Sequence, residues 1–172
     1  GVSQPTNDRS LKADLAVFAI DGTNVIEVMP NDNPPPPVKR QNVGSFSNKG
    51  IELEVNWQIS NQFNLASNYS YLHLDKPRLA APEHQFYING TYSKNKFRAN
   101  LSLQQIGGLY TLTGDNPVKE NYTLANLMLS YQFTNNIDFY VSGKNLLDQS
   151  YSINYGYPMP GITFFTGFNF SI

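Results

Sequence analysis

The sequence predicts an all-β fold, an antiparallel up-and-down meander of about eight strands. Three observations predict it. Large apolar residues recur at every second position, the strand period. The connections between such segments alternate between tight and long. The longest unbroken aliphatic–aromatic run is Leu15–Ile20, whereas a membrane-spanning helix needs about 20 residues.

The elements follow in order. Leu11–Ile20 is blurred: Leu15, Val17 and Ala19 share one face, and the other carries Lys12 and Asp14 but also Phe18 and Ile20. Ile51–Ile59 is clear, with Ile51, Leu53, Val55, Trp57 and Ile59 set against Glu52, Glu54, Asn56 and Gln58. Phe63–Tyr71 sets Phe63, Leu65, Tyr69 and Tyr71 against Asn64, Ala66, Asn68 and Ser70. Phe86–Ser93 sets Phe86, Ile88 and Tyr92 against Tyr87, Asn89, Thr91 and Ser93. Phe97–Gln105, Tyr122–Phe133 and Ile137–Lys144 repeat the pattern. Ile162–Ile172 closes it, with Ile162, Phe164, Phe168, Phe170 and Ile172 on one side. A helix would scatter these residues around its circumference; a strand gathers them on one face.

Ser60–Gln62, Lys94–Lys96 and Thr134–Asn136 are tight polar turns at one end of the meander. Asp21–Pro37, Asp75–Pro82, Tyr110–Asn121 and Asn145–Pro160 are long loops at the other. This asymmetry is the habit of outer-membrane barrels and has no reason in a soluble sandwich. The polar face is mostly neutral Asn, Ser, Gln and Thr, and Asn alone accounts for 21 residues. A solvated face would carry more Lys and Glu. Aromatics gather beside the short turns at Trp57, Phe63, Tyr92, Phe97, Tyr131, Phe133 and Phe139. That resembles an interfacial girdle. The apolar face therefore reads as lipid-facing, and a soluble ligand-binding barrel of lipocalin type stays open as the alternative. The mean hydropathy of −0.39 does not decide between them, because a one-sided strand averages to such a value.

Composition excludes several classes. The chain has no Cys, so disulfide scaffolds, thiolate zinc sites and cysteine nucleophiles are out. A net charge of −1 leaves no basic footprint for nucleic acid. Gly1–Lys12 shows no charged start followed by an apolar stretch, so no signal peptide is read there. No catalytic signature appears. Glu52 and Glu54 are two apart, which places both on the polar face without a third partner. Gly107-Gly108 is too little for a phosphate loop. Five Asn-x-Ser/Thr sequons, at Asn68, Asn89, Asn100, Asn121 and Asn169, arise by themselves where Asn and Ser share a strand face. No catalytic, cofactor or metal residue is assigned. Tyr110, Tyr155 and Tyr157 in the long loops, with His73 and His84 at strand ends, are the candidate ligand-contacting residues, since exposed Tyr suits planar or sugar-like ligands. Pro34–Pro37 reads as a stiff polyproline II spacer in an outer loop.

Three motifs resemble one family. Asn48-Lys49-Gly50-Ile51-Glu52-Leu53-Glu54 resembles the x-x-G-[I/L/V]-E-[L/V/A]-E strand of TonB-dependent outer-membrane receptors. Asn145-Leu146-Leu147-Asp148-Gln149-Ser150-Tyr151 resembles their N-L-[F/L]-D-x-x-Y element, and Pro160-Gly161-Ile162-Thr163-Phe164 their P-G-R-x-[F/Y] element. The motif residues carried over are Gly50, Glu52, Asn145, Leu146, Asp148, Tyr151, Pro160, Gly161 and Phe164. Ile162 stands where the family usually has Arg, and Ile172 where such barrels most often end in Phe.

The resemblance implies that residues 1–172 are the C-terminal segment of a 22-stranded transmembrane barrel, with the plug domain and earlier strands lying elsewhere. It implies an outer-membrane transport receptor of a Gram-negative bacterium rather than an enzyme. Such a receptor takes up an iron–siderophore, haem, cobalamin or a glycan with TonB-coupled energy. The implied partners are outer-membrane lipid, the missing plug and strands, the TonB complex through that plug, and a small-molecule substrate at the external loops. An open curved sheet is expected of the segment, with first and last strands apart. A complete eight-stranded outer-membrane protein with an adhesive or structural role is the alternative, and it requires Leu11–Ile20 to pair with Ile162–Ile172.

Overall fold

A computed structural model describes residues 10–24, 26–30, 38–42, 44–114 and 116–170. Among them there are strands and no helix. The strands are β1 (Leu11–Gly22), β2 (Ile26–Pro30), β3 (Val38–Asn42), β4 (Phe46–Gln58), β5 (Phe63–Leu74), β6 (His84–Lys94), β7 (Phe97–Leu112), β8 (Val118–Thr134), β9 (Ile137–Lys144), β10 (Ser152–Asn154), β11 (Tyr157–Pro158) and β12 (Thr163–Phe170). Eight of them form one antiparallel sheet in the order β1-β4-β5-β6-β7-β8-β9-β12. The sheet is open, with β1 and β12 as its edges. The sequence-ordered meander and the separation of first and last strands are as expected. The proline run and Ile172 lie outside the described residues.

Register explains why the faces are uniform. Cross-strand partners always share a face. Ala13, Val55, Ser67, Ile88, Leu103 and Ala125 form one continuous row. Trp57, Leu65, Gly90, Leu101, Leu127, Gly143 and Phe164 form another. On the opposite face run Asp14, Glu54, Asn68 and Tyr87, and next to them Asn56, Ala66, Asn89 and Ser102. One apolar and one polar face therefore extend across the whole sheet.

Several outer connections differ from expectation. Tyr110–Asn121 is mostly strand, because β7 runs on to Leu112 and β8 starts at Val118. The cause is a bulge between Ile106 and Leu109, with Gly108 at a φ of +67°. A bulge shifts the side-chain alternation by one, so a period-two reading stops there. Within Asp21–Pro37 and its sequel lies the hairpin β2–β3, and within Asn145–Pro160 the hairpin β10–β11. β4 also begins at Phe46, ahead of its expected start.

Gly50 is explained by its neighbour. Phe18 is its direct partner on β1, and that ring lies where a Gly50 side chain would go. An aromatic ring laid over a glycine restores the packing the glycine lacks. Phe18 and Ile20 on the polar side of β1 blurred its alternation, and the Phe18 ring covering Gly50 shows what that aromatic does there.

Candidate functional site

The N-L-x-D-x-x-Y and P-G motifs fold into one knot at the long-loop end. Asn145 is 5% exposed and sits at its centre with a φ of +51°, a conformation Asn tolerates. Its Nδ2 donates to the carbonyls of Gln149 (2.9 Å) and Pro160 (3.1 Å). Its Oδ1 accepts from the Gln149 N–H at 2.9 Å. Its own backbone N–H donates to Asn126 Oδ1 at 3.0 Å, and the next N–H, of Leu146, donates to the Ala125 carbonyl at 2.8 Å. One buried carboxamide thus joins both ends of the loop, while its backbone is anchored to β8.

The other motif residues serve the same knot. Asp148 Oδ1 accepts the Ile162 N–H at 3.3 Å and would lie 2.7 Å from a Cβ at Gly161, so a side chain there would push the Asp148 carboxylate off its hydrogen bond. Leu146 and Phe164 close over Gly143 on the apolar face. Tyr151 packs on Tyr122 with ring centroids 4.3 Å apart. Tyr122 belongs to a small buried cluster with Ile106 and Leu109, so loop 145–161 is drawn over the polar face. Beneath it, a cavity of about 460 Å³ is lined by Asn126, Lys144, Tyr151, Met159, Thr163 and Phe165 among others. The Lys144 ammonium stands 5.2 Å from the Phe165 ring centroid.

The tyrosines expected to meet ligand assemble at the outer rim. The Tyr155 N–H donates to the Thr111 carbonyl at 3.2 Å, which ties the β10–β11 hairpin to the end of β7 beside Tyr110. Tyr155 and Tyr157 are 58% and 74% exposed. Tyr110 faces a cation, with Lys119 Nζ 4.7 Å from its ring centroid. The same Nζ donates to Glu83 Oε1 at 2.8 Å. That hydrogen bond holds the Lys119 ammonium above its ordinary pKa. Glu83 and Lys119 are far apart in sequence and no local motif announces the pair; only the extended register of β7 and β8 brings them together.

His73 and His84 sit elsewhere. His73 partners Lys49 and His84 partners Tyr71, both on the apolar face. Glu52 lies on the polar face between Ala16 and Ser70. Among the described residues no three His, Asp or Glu side chains come together to hold a metal.

The apolar face is bounded at both ends. On the short-turn side the last aromatics are Trp57, Phe63, Tyr92, Phe97 and Phe133 on β4 to β8. On the long-loop side the belt ends at Lys49, His73, His84, Gln105 and Thr123 on the same strands. The two limits are separated by eight residues on three of these strands and ten on β5 and β8 (49–57, 63–73, 84–92, 97–105, 123–133).

Comparison with known proteins gives the following. The family model described as TonB dependent receptor-like, beta-barrel, matches residues 1–146. An uncharacterized TonB-dependent receptor of Haemophilus influenzae is 25% identical over 167 residues, covering 83% of this chain and 47% of the relative. The chain thus spans about half the length of that curated relative. Among solved structures, the copper transporter OprC superposes with a TM-score of 0.77 at 17% identity, over 97% of this chain and 30% of that one. The ferric-catecholate import receptor Fiu from K12 E. coli gives 0.70 at 23%, over 97% and 26%. The siderophore receptor PiuA from Acinetobacter baumannii gives 0.73 at 20%, over 93% and 26%. At such identities the superpositions establish the fold.

Proposed function

The chain belongs to the TonB-dependent receptor family, and we propose that it forms the C-terminal stretch of the barrel wall of such a receptor in a Gram-negative outer membrane. The family's members are transport receptors and not enzymes. In this reading the apolar face meets lipid, the polar face lines the lumen, and the long loops face outward. The whole receptor takes up a scarce substrate, an iron–siderophore, haem, cobalamin or a glycan. TonB supplies the energy through a plug carried by the rest of the receptor. Tyr110, Tyr155 and Tyr157 provide part of the outer capture surface, and the knot at Asn145 holds the loop that presents two of them.

One observation carries the membrane assignment: the bounded apolar belt. Eight residues at about 3.4 Å each reach about 27 Å along a strand. A strand tilted by roughly 40° then rises about 20 Å, close to the apolar band of about 25 Å in barrels of this kind. A soluble core has no reason to keep its thickness within two residues on five successive strands. The facing is tested by charge placement. Leu53→Arg and Leu129→Arg put a cation against lipid and cost about 2–4 kcal/mol near mid-bilayer. Asn56→Arg and Ser130→Arg put it in a wet lumen. Heat-modifiable barrel yield in the full receptor should fall sharply for the first pair only. Equal losses in all four variants would refute the facing.

A further inference from the structure

The cavity beneath loop 145–161 holds a cation without a countercharge. Leu124 and Met159 give it apolar wall, and Tyr151 and Phe165 contribute aromatic rings. Most of its polar groups are already engaged within the chain. Asn126 Oδ1 accepts the Asn145 N–H, and Asn126 Nδ2 donates to Ser102 Oγ at 3.3 Å. The Asn145 carboxamide donates to the Gln149 and Pro160 carbonyls. The Thr163 hydroxyl donates to the Gly161 carbonyl at 3.1 Å. Lys144 differs. Among the described residues its ammonium has neither a carboxylate partner nor a hydrogen-bond acceptor, and it stands over the Phe165 ring. Asp148, the one carboxylate of loop 145–161, accepts the Ile162 N–H and does not line the cavity.

These features select a ligand. An unpaired ammonium in a concave, partly apolar site favours an anion. The lining has no second cation and no Arg fork, the features that suit a phosphate dianion, so a single carboxylate matches the charge. The volume of about 460 Å³ is that of a small-molecule pocket, far above the about 30 Å³ share of one water. A bare inorganic anion would leave the apolar wall uncovered. A flat ring covers it, offset against the aromatic side chains.

We propose that this cavity binds an aryl carboxylate, with the carboxylate on Lys144 Nζ and the ring against Phe165 and Tyr151. The site rests on the reading that the polar face lines the lumen, because the cavity then opens on the path of a small molecule arriving from the long-loop side.

The test uses the full receptor, purified in a maltoside detergent and titrated by fluorine NMR. Three probes are added separately: 4-fluorobenzoate, its neutral isostere 4-fluorobenzamide, and trifluoroacetate, which has the charge without the ring. The wild type should bind 4-fluorobenzoate about tenfold or more tightly than either of the others, the effect of one charge-assisted hydrogen bond or of one stacked ring. Lys144→Gln should remove the advantage over the amide, and Lys144→Arg should keep it. Phe165→Leu should weaken the acid and the amide alike. Arg98→Gln, on the polar face near the short turns, should change nothing. A second measurement needs no variant. In the wild type, 4-fluorobenzoate should slow hydrogen exchange of the Gln149 and Ile162 amides, which donate within the roof of the cavity, and 4-fluorobenzamide should slow it less.

Equal binding of acid and amide, or undiminished binding of the acid by Lys144→Gln, overturns the role of Lys144. Equal binding of trifluoroacetate overturns the aryl assignment and leaves a simple anion site. Absence of 4-fluorobenzoate binding overturns the site while leaving the barrel reading intact, provided Leu53→Arg blocks assembly. Normal assembly of Leu53→Arg sinks the membrane reading on which the site rests.

Discussion

Replacing Asn145 by Ala should open the loop that spans residues 145–161. The wild-type carboxamide makes three side-chain hydrogen bonds, two donated and one accepted. Each contributes about 1 kcal/mol net, and a partner left buried without one costs more. Ala would also have to hold the left-handed backbone that Asn accepts, at a cost of about 1 kcal/mol. Together these give about 3–4 kcal/mol, which raises the population of the open loop at least a hundredfold. Asn145→Asp should be no milder, because a carboxylate would face the carbonyls of Gln149 and Pro160 that now accept from Nδ2. Hydrogen exchange reads this directly. The amides of Leu146, Asp148, Gln149 and Ile162 all donate within the knot, so their protection should fall together while that of central β5 and β6 stays unchanged. Asn64→Ala, on an exposed polar-face site of β5, is the control. Unchanged protection in Asn145→Ala, or the same fall in Asn64→Ala, would refute the idea that one side chain holds the loop.

Gly50→Ala should lower the thermal midpoint of the assembled receptor, with a destabilisation of about 1–3 kcal/mol. The new Cβ meets the Phe18 ring and lies 2.8 Å from the Tyr71 carbonyl. Phe18→Ala should rescue only part of the loss, since the carbonyl cannot move aside. Joint replacement of Tyr155 and Tyr157 by Ala should weaken substrate capture by whole cells about tenfold or more while barrel yield stays level, in line with exposed aromatic anchors; unchanged capture would remove the hairpin from the ligand surface. The Lys119–Glu83 clasp is set by a lysine whose folded pKa is raised. Its contribution is therefore fully present below the ordinary lysine value of 10.5 and is lost as pH rises through the higher folded one. Exchange rates near Lys119 should accelerate only in that alkaline range, by the small amount an exposed pair allows, and Lys119→Met should abolish the step.

The eight long strands were legible because their side chains obey one rule: neighbours in the chain alternate, and partners across strands agree. Where that rule breaks, the sequence alone misleads. The Gly107-Gly108 bulge hid the outer extensions of β7 and β8, and with them the Glu83–Lys119–Tyr110 cluster. The hairpins β2–β3 and β10–β11 are too short for periodicity to reveal. The motif around Asn145 was visible as a string, but its purpose was not, since the Pro160 carbonyl that completes it comes from the far end of the loop. His73 and His84 stand at strand ends, just outside the segments Phe63–Tyr71 and Phe86–Ser93 that the alternation marks. Only register shows that they share a face with Ile51 and Leu53, because whether a residue near a strand end points in or out depends on parity counted from the strand centre.

The two limits of the apolar belt carry a further geometric consequence. From Trp57 on β4 to Tyr131 on β8, the boundary aromatics slip four residues along the hydrogen-bonded rows in four strand steps, and from Lys49 to Thr123 the outer limit slips by the same amount. By Phe170 on β12 the slip has reached six residues in six steps. One residue of about 3.4 Å per interstrand spacing of about 4.8 Å is a slope of about 35°, which is the strand tilt of a closed transmembrane wall. The stagger is thus written into the placement of aromatics, and it constrains strands that this chain does not contain. Strands docking on β12 must go on advancing their boundary aromatics by two residues for every two strands, since cross-strand partners share a face, and strands docking on β1 must step back at the same rate. A partner that pairs in any other register would lift its girdle out of the plane that the other eight share.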